Sequence, residues 1–107
     1  MTSPLTYTGA LVLQALVRGH AYGFDIVHAT KLPTGTVYPL LRRLEARGLV
    51  RSRWEKEAAA RAEGRPARRN YAPTAAGEAA LAEALKRIRS QQAVLDDAVG
   101  DGSAASA

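Results

Sequence analysis

A mostly helical α+β chain, a winged helix-turn-helix with a small antiparallel hairpin and a long final helix, is predicted by three observations in the 107-residue sequence. Val37, Leu40, Leu41 and Leu44 recur at helical spacing just after the proline-broken turn Lys31-Leu32-Pro33. Two short segments over 49–54 and 68–72 alternate as strands do, and a basic connection separates them. Beyond them Leu81, Leu85, Ile88, Gln92, Leu95 and Val99 step by four and three, a heptad seam with one polar member.

The elements follow in order. Residues 7–18 are apolar on nearly every side, so this helix is buried all round or shared between a core and an interface. Gly19 ends it. A short second helix spans 21–30 and is broken at Pro33, because the residue before a proline avoids helical backbone. The third helix begins near residue 34 and ends at Gly48, with Arg47 against its negative end. An interior proline costs a helix about 3 kcal/mol, a cost largely avoided in the first turn. Pro39 therefore predicts a late start, at Gly35 or Thr36. The 55–67 connection reads either as a hairpin loop holding a helical turn or as a flexible loop, and Pro73 is expected to stop the second strand. Thr74 is the expected N-cap of the last helix, which should run to about Ala98. The domain boundaries follow: a DNA-binding unit over 1–73, a dimerisation helix over 74–99 and a disordered tail over 100–107. Phe24, Trp54 and Tyr71 are expected in the core; only their spacing around the sheet would let one line a ligand cavity.

Charge distribution says what such a fold would bind. The net charge is +5, but residues 31–69 alone hold +7. A basic segment of this kind is an electrostatic footprint for nucleic acid, or a solvated basic face. There is no cysteine, and the two histidines, His20 and His28, stand in a turn and on the short helix. No nucleophile–base pair, phosphate loop or metal-ligand cluster is visible, so neither an enzyme nor a bound cofactor is expected. The apolar run over 9–17 is far short of the roughly 20 residues a spanning helix needs, and a cytoplasmic protein without a membrane partner is expected.

In a helix-turn-helix the second helix meets base edges mainly with its N-terminal residues. Here those are Thr34, Gly35 and Thr36, small enough for close approach to a phosphate at a helix N-terminus. Tyr38 lies off the apolar stripe and reads as a phosphate donor, a core position being the alternative. Arg42 and Arg43 read as base or phosphate contacts, or as ordinary surface arginines. Arg65, at a Gly-Arg-Pro tip, with Arg68 and Arg69 behind it, suits backbone or minor-groove contact, a solvated loop being the alternative. The seam of Leu81, Leu85, Ile88, Gln92, Leu95 and Val99 suits pairing of two chains. It would be equally satisfied by packing on its own domain, with Glu78, Lys86, Arg89 and Asp96 facing solvent.

The strings Ala21-Tyr22-Gly23-Phe24-Asp25-Ile26, Thr36-Val37-Tyr38-Pro39-Leu40-Leu41, Trp54-Glu55 and Gly64-Arg65-Pro66, with Tyr71, Thr74 and Gly77, resemble the PadR family of transcriptional regulators over about residues 11–81. The resemblance implies a homodimeric repressor of its own or a neighbouring promoter, acting on a pseudo-palindromic double-stranded operator and responsive to a small-molecule effector. It also implies Thr34, Gly35, Thr36, Tyr38 and Pro39 as groove-reading residues, with Tyr22 in the contact set, Arg65 in the wing and the last helix as dimer arm. The alternative is a winged helix used as a protein–protein interaction module.

Overall fold

The computed structural model describes residues 3–106, with side chains through residue 98. Helix α1 (Tyr7–Val17) starts where the Thr6 hydroxyl accepts from the Gly9 amide at 3.0 Å. Its apolar sequence buries Ala10, Val12, Leu13, Ala15 and Leu16. It is the hub of the domain, touching α2 (Gly23–Thr30), α3 (Thr34–Ala46), strand β2 (Arg69–Pro73) and helix α5 (Ala75–Ser106). The stripe on α3 behaves as its spacing predicts, since Val37, Leu40, Leu41 and Leu44 are all buried. With Leu13, Ile26 and Val50 they form one core, in which each fully buried leucine contributes about 2 kcal/mol of transfer free energy.

Three residues join α2 to α3. Lys31 takes left-handed backbone (φ 60), an uncommon conformation for a side-chain-bearing residue. Thr30 holds the turn there: its hydroxyl donates to the Ile26 carbonyl at 2.7 Å and accepts from the Leu32 amide at 3.3 Å.

Strands β1 (Val50–Trp54) and β2 form the antiparallel hairpin, with Val50 opposite Pro73 and Trp54 opposite Arg69. The hairpin is fastened to the helices. Tyr22 bridges to Asn70, and the Tyr71 amide donates to the Ala21 carbonyl at 2.7 Å.

Several boundaries differ from the sequence expectation. Helix α3 starts at Thr34, so Pro39 lies inside it and not in its first turn. Tertiary packing of Val37, Leu40 and Leu41 offsets the local cost of the proline. Strand β2 includes Pro73, which a two-stranded sheet tolerates because only one edge of each strand is paired. The 55–67 connection contains a helix, α4 (Glu57–Ala62), anchored by buried Ala60. Helix α5 continues to Ser106, past the expected end at 98. The expected disordered tail thus loses 100–106 to helix, in a stretch with no proline to break it, and residue 107 lies outside the described residues.

The start of α5 is the tightest joint. The Thr74 hydroxyl accepts from the Gly77 amide at 3.0 Å and donates to the Gly48 carbonyl at 2.7 Å, and the Thr74 amide donates to the Leu49 carbonyl at 3.1 Å. The expected cap at Thr74 is therefore present, and it also locks α5 onto the residues that follow α3.

Candidate nucleic-acid interface

The first turn of α3 is presented outward. Thr34 and Gly35 are exposed, Thr36 and Pro39 half-buried, and no atom lies within 4 Å of the place a Gly35 Cβ would occupy. Pro39 has no amide hydrogen, so it cannot donate to the Gly35 carbonyl one turn back. Tyr38 crosses to the start of α2. A Cβ on Gly23 would sit 2.4 Å from the Tyr38 ring, so only glycine at 23 lets the ring lie there. Arg42 is exposed on α3. Arg43 is exposed too, one helical step round, beside a groove it lines with Leu5 and Thr6 at the start of α1 and with Arg47 at the end of α3.

The wing arginines do not behave as a set. Arg65, expected to project from the tip, folds back. Its two terminal nitrogens donate to both carboxylate oxygens of Glu55 at 2.5 and 2.9 Å, its Nε donates to Glu63 at 3.0 Å, and its side chain is 24 % exposed. The physical reason is a bidentate carboxylate within reach across the loop, a stronger partner for a guanidinium than water. Glu55 also accepts from the Arg68 amide at 2.9 Å and from the Tyr22 hydroxyl at 3.4 Å. One carboxylate thereby ties loop, hairpin and α2 together. The Arg65 guanidinium, followed by the Arg68 amide, holds the Glu55 carboxyl well below the usual range, and the Glu55 carboxylate in turn raises Arg65, keeping it charged. Its folded value being depressed, the clamp contributes fully above the ordinary carboxylate value, about 4.3, and is lost only as pH falls through the depressed one.

Arg68 and Arg69 stay at the surface. The Arg68 guanidinium lies 3.8 Å from the centre of the Tyr22 ring. Arg69 donates to the Ser52 hydroxyl at 2.9 Å and pairs with Glu45 of α3 at 3.5 Å, while Ser52 donates to Glu45 at 2.6 Å. The hairpin is thus cross-linked to the helix expected to enter the groove. Tyr71 is buried as expected, and burial pushes its hydroxyl up against the opposing pull of Arg69.

Phe24 and Trp54, expected in the core, are 65 % and 62 % exposed. Both occupy the hollow between α2 and the hairpin, where helical and strand periodicity could not place them. Sequence reasoning also assigned no role to Glu45, Ser52 and Glu55. The available signal was Glu55 beside Trp54, one of three glutamates among the arginines of residues 51–69.

In the seam on α5, Leu81 is buried in its own domain, and Leu85 and Ile88 are half-buried against the same core, dividing their surface between it and solvent. Gln92 is exposed and donates to Asp96 at 2.9 Å, and Leu95 is exposed. The Val99 side chain lies outside the described residues.

The clamp makes a prediction. Glu55→Ala and Arg65→Ala should each reduce hydrogen-exchange protection of the β2 amides, Glu55→Ala more so because it also frees the Arg68 amide and the Tyr22 hydroxyl, and the double variant should lose less than the sum of the two, because each single variant already removes the shared pair. Additive losses would mean that the two residues act separately.

A tight-turned helix pair, a recognition-type helix with an open N-terminus and a hairpin bearing arginines define a winged helix of the transcription-regulator class. The chain belongs to the transcriptional regulator PadR-like family, whose family model matches residues 12–83. Among solved structures, a PadR family transcription regulator from Clostridium difficile superposes with a TM-score of 0.75 at 24 % identity, covering 86 % of this chain and 97 % of that one. Bordetella bronchiseptica BpsR, described for regulation of its DNA binding by 6-hydroxynicotinic acid, matches at 27 % identity and TM-score 0.67, over 84 % of this chain and 64 % of that one. Bacillus subtilis PadR in complex with operator DNA matches at 20 % identity and TM-score 0.63, over 75 % of this chain and 48 % of that one. No curated protein sequence matches the chain significantly. Among the described residues no helix is long and apolar enough to cross a membrane.

Proposed function

We propose that the chain is a sequence-specific, homodimeric repressor that reads a pseudo-palindromic operator. The observation that carries this reading is the open first turn of α3, with Thr34 and Gly35 exposed and Thr36 half-buried, beside a hairpin bearing Arg68 and Arg69. The helix N-terminus attracts phosphate and the short side chains admit base edges. Tyr22, Tyr38, Pro39, Arg42, Arg68 and Arg69 complete the contact set. Arg65 acts through the Glu55 clamp, and Arg43, one helical step round from Arg42, serves at the flank. The operator complex of Bacillus subtilis PadR supports the DNA reading by analogy of fold. An effector such as the one described for Bordetella bronchiseptica BpsR is consistent with it, without fixing a ligand here. Pairing of two chains through the exposed end of α5 would set two recognition helices about one helical turn apart, as dimeric readers of this type require.

The test is a labelled duplex from the chain's own promoter region, titrated at several salt concentrations. Affinity should fall linearly on logarithmic axes, by about 0.9 per phosphate neutralised. It should exceed that for a scrambled duplex by roughly a thousand-fold or more. Equal affinity for the scrambled duplex would reduce the protein to a non-specific binder.

A further inference from the structure

Five of the six aromatic residues in the chain, scattered at positions 22, 24, 38, 54 and 71, converge on one cleft of about 690 Å³ between the start of α2, the middle of α3 and the hairpin. Two guanidiniums stand at it. Arg68 lies against Tyr22, and Arg69 lies 5.8 Å from the centre of the Trp54 ring. Their partners Glu55 and Glu45 restrain both arginines but leave them exposed. Phe24 and Trp54 present most of their surface to solvent, which is unfavourable for apolar rings that nothing covers.

We propose, resting on the DNA-binding reading above, that this cleft seats the sugar–phosphate strand running beside the recognition helix. Arg68 and Arg69 would meet phosphate, while Phe24 and Trp54 lie against deoxyribose or a base edge. Two features point to DNA as the occupant. The cleft is continuous with the open turn of α3 through Tyr38, which lines it. Its rim pairs cations with flat apolar faces, the combination that suits a duplex strand whose phosphates alternate with sugars. The aromatic contacts would add affinity that salt does not screen, beside the counterion-dependent part carried by the arginines.

Trp54 is the only tryptophan, so intrinsic emission reads this cleft directly. The full chain is titrated at low salt with a labelled mixed-sequence duplex of about two helical turns, following duplex anisotropy and Trp54 emission together. The proposal expects emission to change with the same midpoint as anisotropy. Trp54→Ala should weaken binding about five-fold at every salt concentration with the slope unchanged, and Trp54→Phe should restore most of it. Arg69→Ala should weaken binding and lower the slope by about 0.9. Normal anisotropy with unchanged emission and undiminished Trp54→Ala affinity would overturn the proposal while leaving DNA binding intact. Loss of any anisotropy change in the wild-type chain would instead remove the DNA reading itself, and this proposal with it. Emission that responds to benzoate and not to duplex would assign the cleft to a small planar anion and overturn the proposal.

Discussion

Gly77→Ala should destabilise the fold by about 3 kcal/mol, lowering the melting temperature by roughly 10–20 °C. A Cβ at residue 77 would lie 2.0 Å from the Leu49 carbonyl oxygen. That oxygen is backbone and cannot rotate aside. It also accepts from the Thr74 amide, so relief of the clash must move the first turn of α5 away from Leu49. The move strains the Thr74 bonds to Gly48 and Gly77, which adds the loss of a helix cap, about 1 kcal/mol, to the overpacking cost. Gly35→Ala is the matched control. It stands in helix α3 with open space around its Cβ, so the better helix former should leave the melting temperature unchanged or raise it by up to about 1 kcal/mol of stability. A Gly77→Ala protein melting within 2 °C of the parent, about the shift of a fraction of a kcal/mol, would mean that α5 is not seated on Leu49.

The contrast between these two glycines shows what was legible in the sequence. Local signals placed the elements. The stripe Val37, Leu40, Leu41, Leu44, the cap at Thr74 and the breaks at Gly19 and Gly48 all act within a few residues of themselves, and each is found where expected. Contacts between distant residues were not legible. Nothing near Gly77 in the chain announces the Leu49 carbonyl, and nothing near Gly23 announces the Tyr38 ring. The same limit explains the aromatics. Phe24 and Trp54 are apolar by type, and type alone assigns them to the core. Their exposure depends on how the hairpin meets α2, which is decided by Tyr22, Asn70, Ala21 and Tyr71. Arg65 shows the electrostatic form of the problem. A cation at a loop tip reads as a hand held out to phosphate until a carboxylate ten residues away is found beneath it. The candidate site was thus legible as a region and as residue types, while its division into contacting and supporting side chains was not.

The largest effect on DNA affinity is expected from Leu95→Lys. From residue 89 to residue 98 every side chain of α5 is exposed, so this part of the helix has no support from its own domain. A lone helical segment of such length is marginal in water, and an apolar seam on it gains stability only when covered. Leu95 is 59 % exposed and continues the spacing of Leu85, Ile88 and Gln92. In the proposed dimer it would meet its counterpart, and a lysine there would place two ammonium groups in one apolar contact. Light scattering should then report a monomer in place of a dimer. Affinity for a two-half-site duplex should fall by roughly a hundred- to ten-thousand-fold, because the second half-site is no longer held at high effective concentration. Affinity for a single half-site should be unchanged, since α3 and the hairpin are untouched. Position 95 is a cleaner choice than Leu85 or Ile88, which pack against their own core, so that substitution there would mix folding with assembly. A Leu95→Lys protein that remains dimeric would move the pairing surface off the distal half of α5. The exposed part of α1, with Tyr7 and Val17, would then be the apolar surface left to account for it.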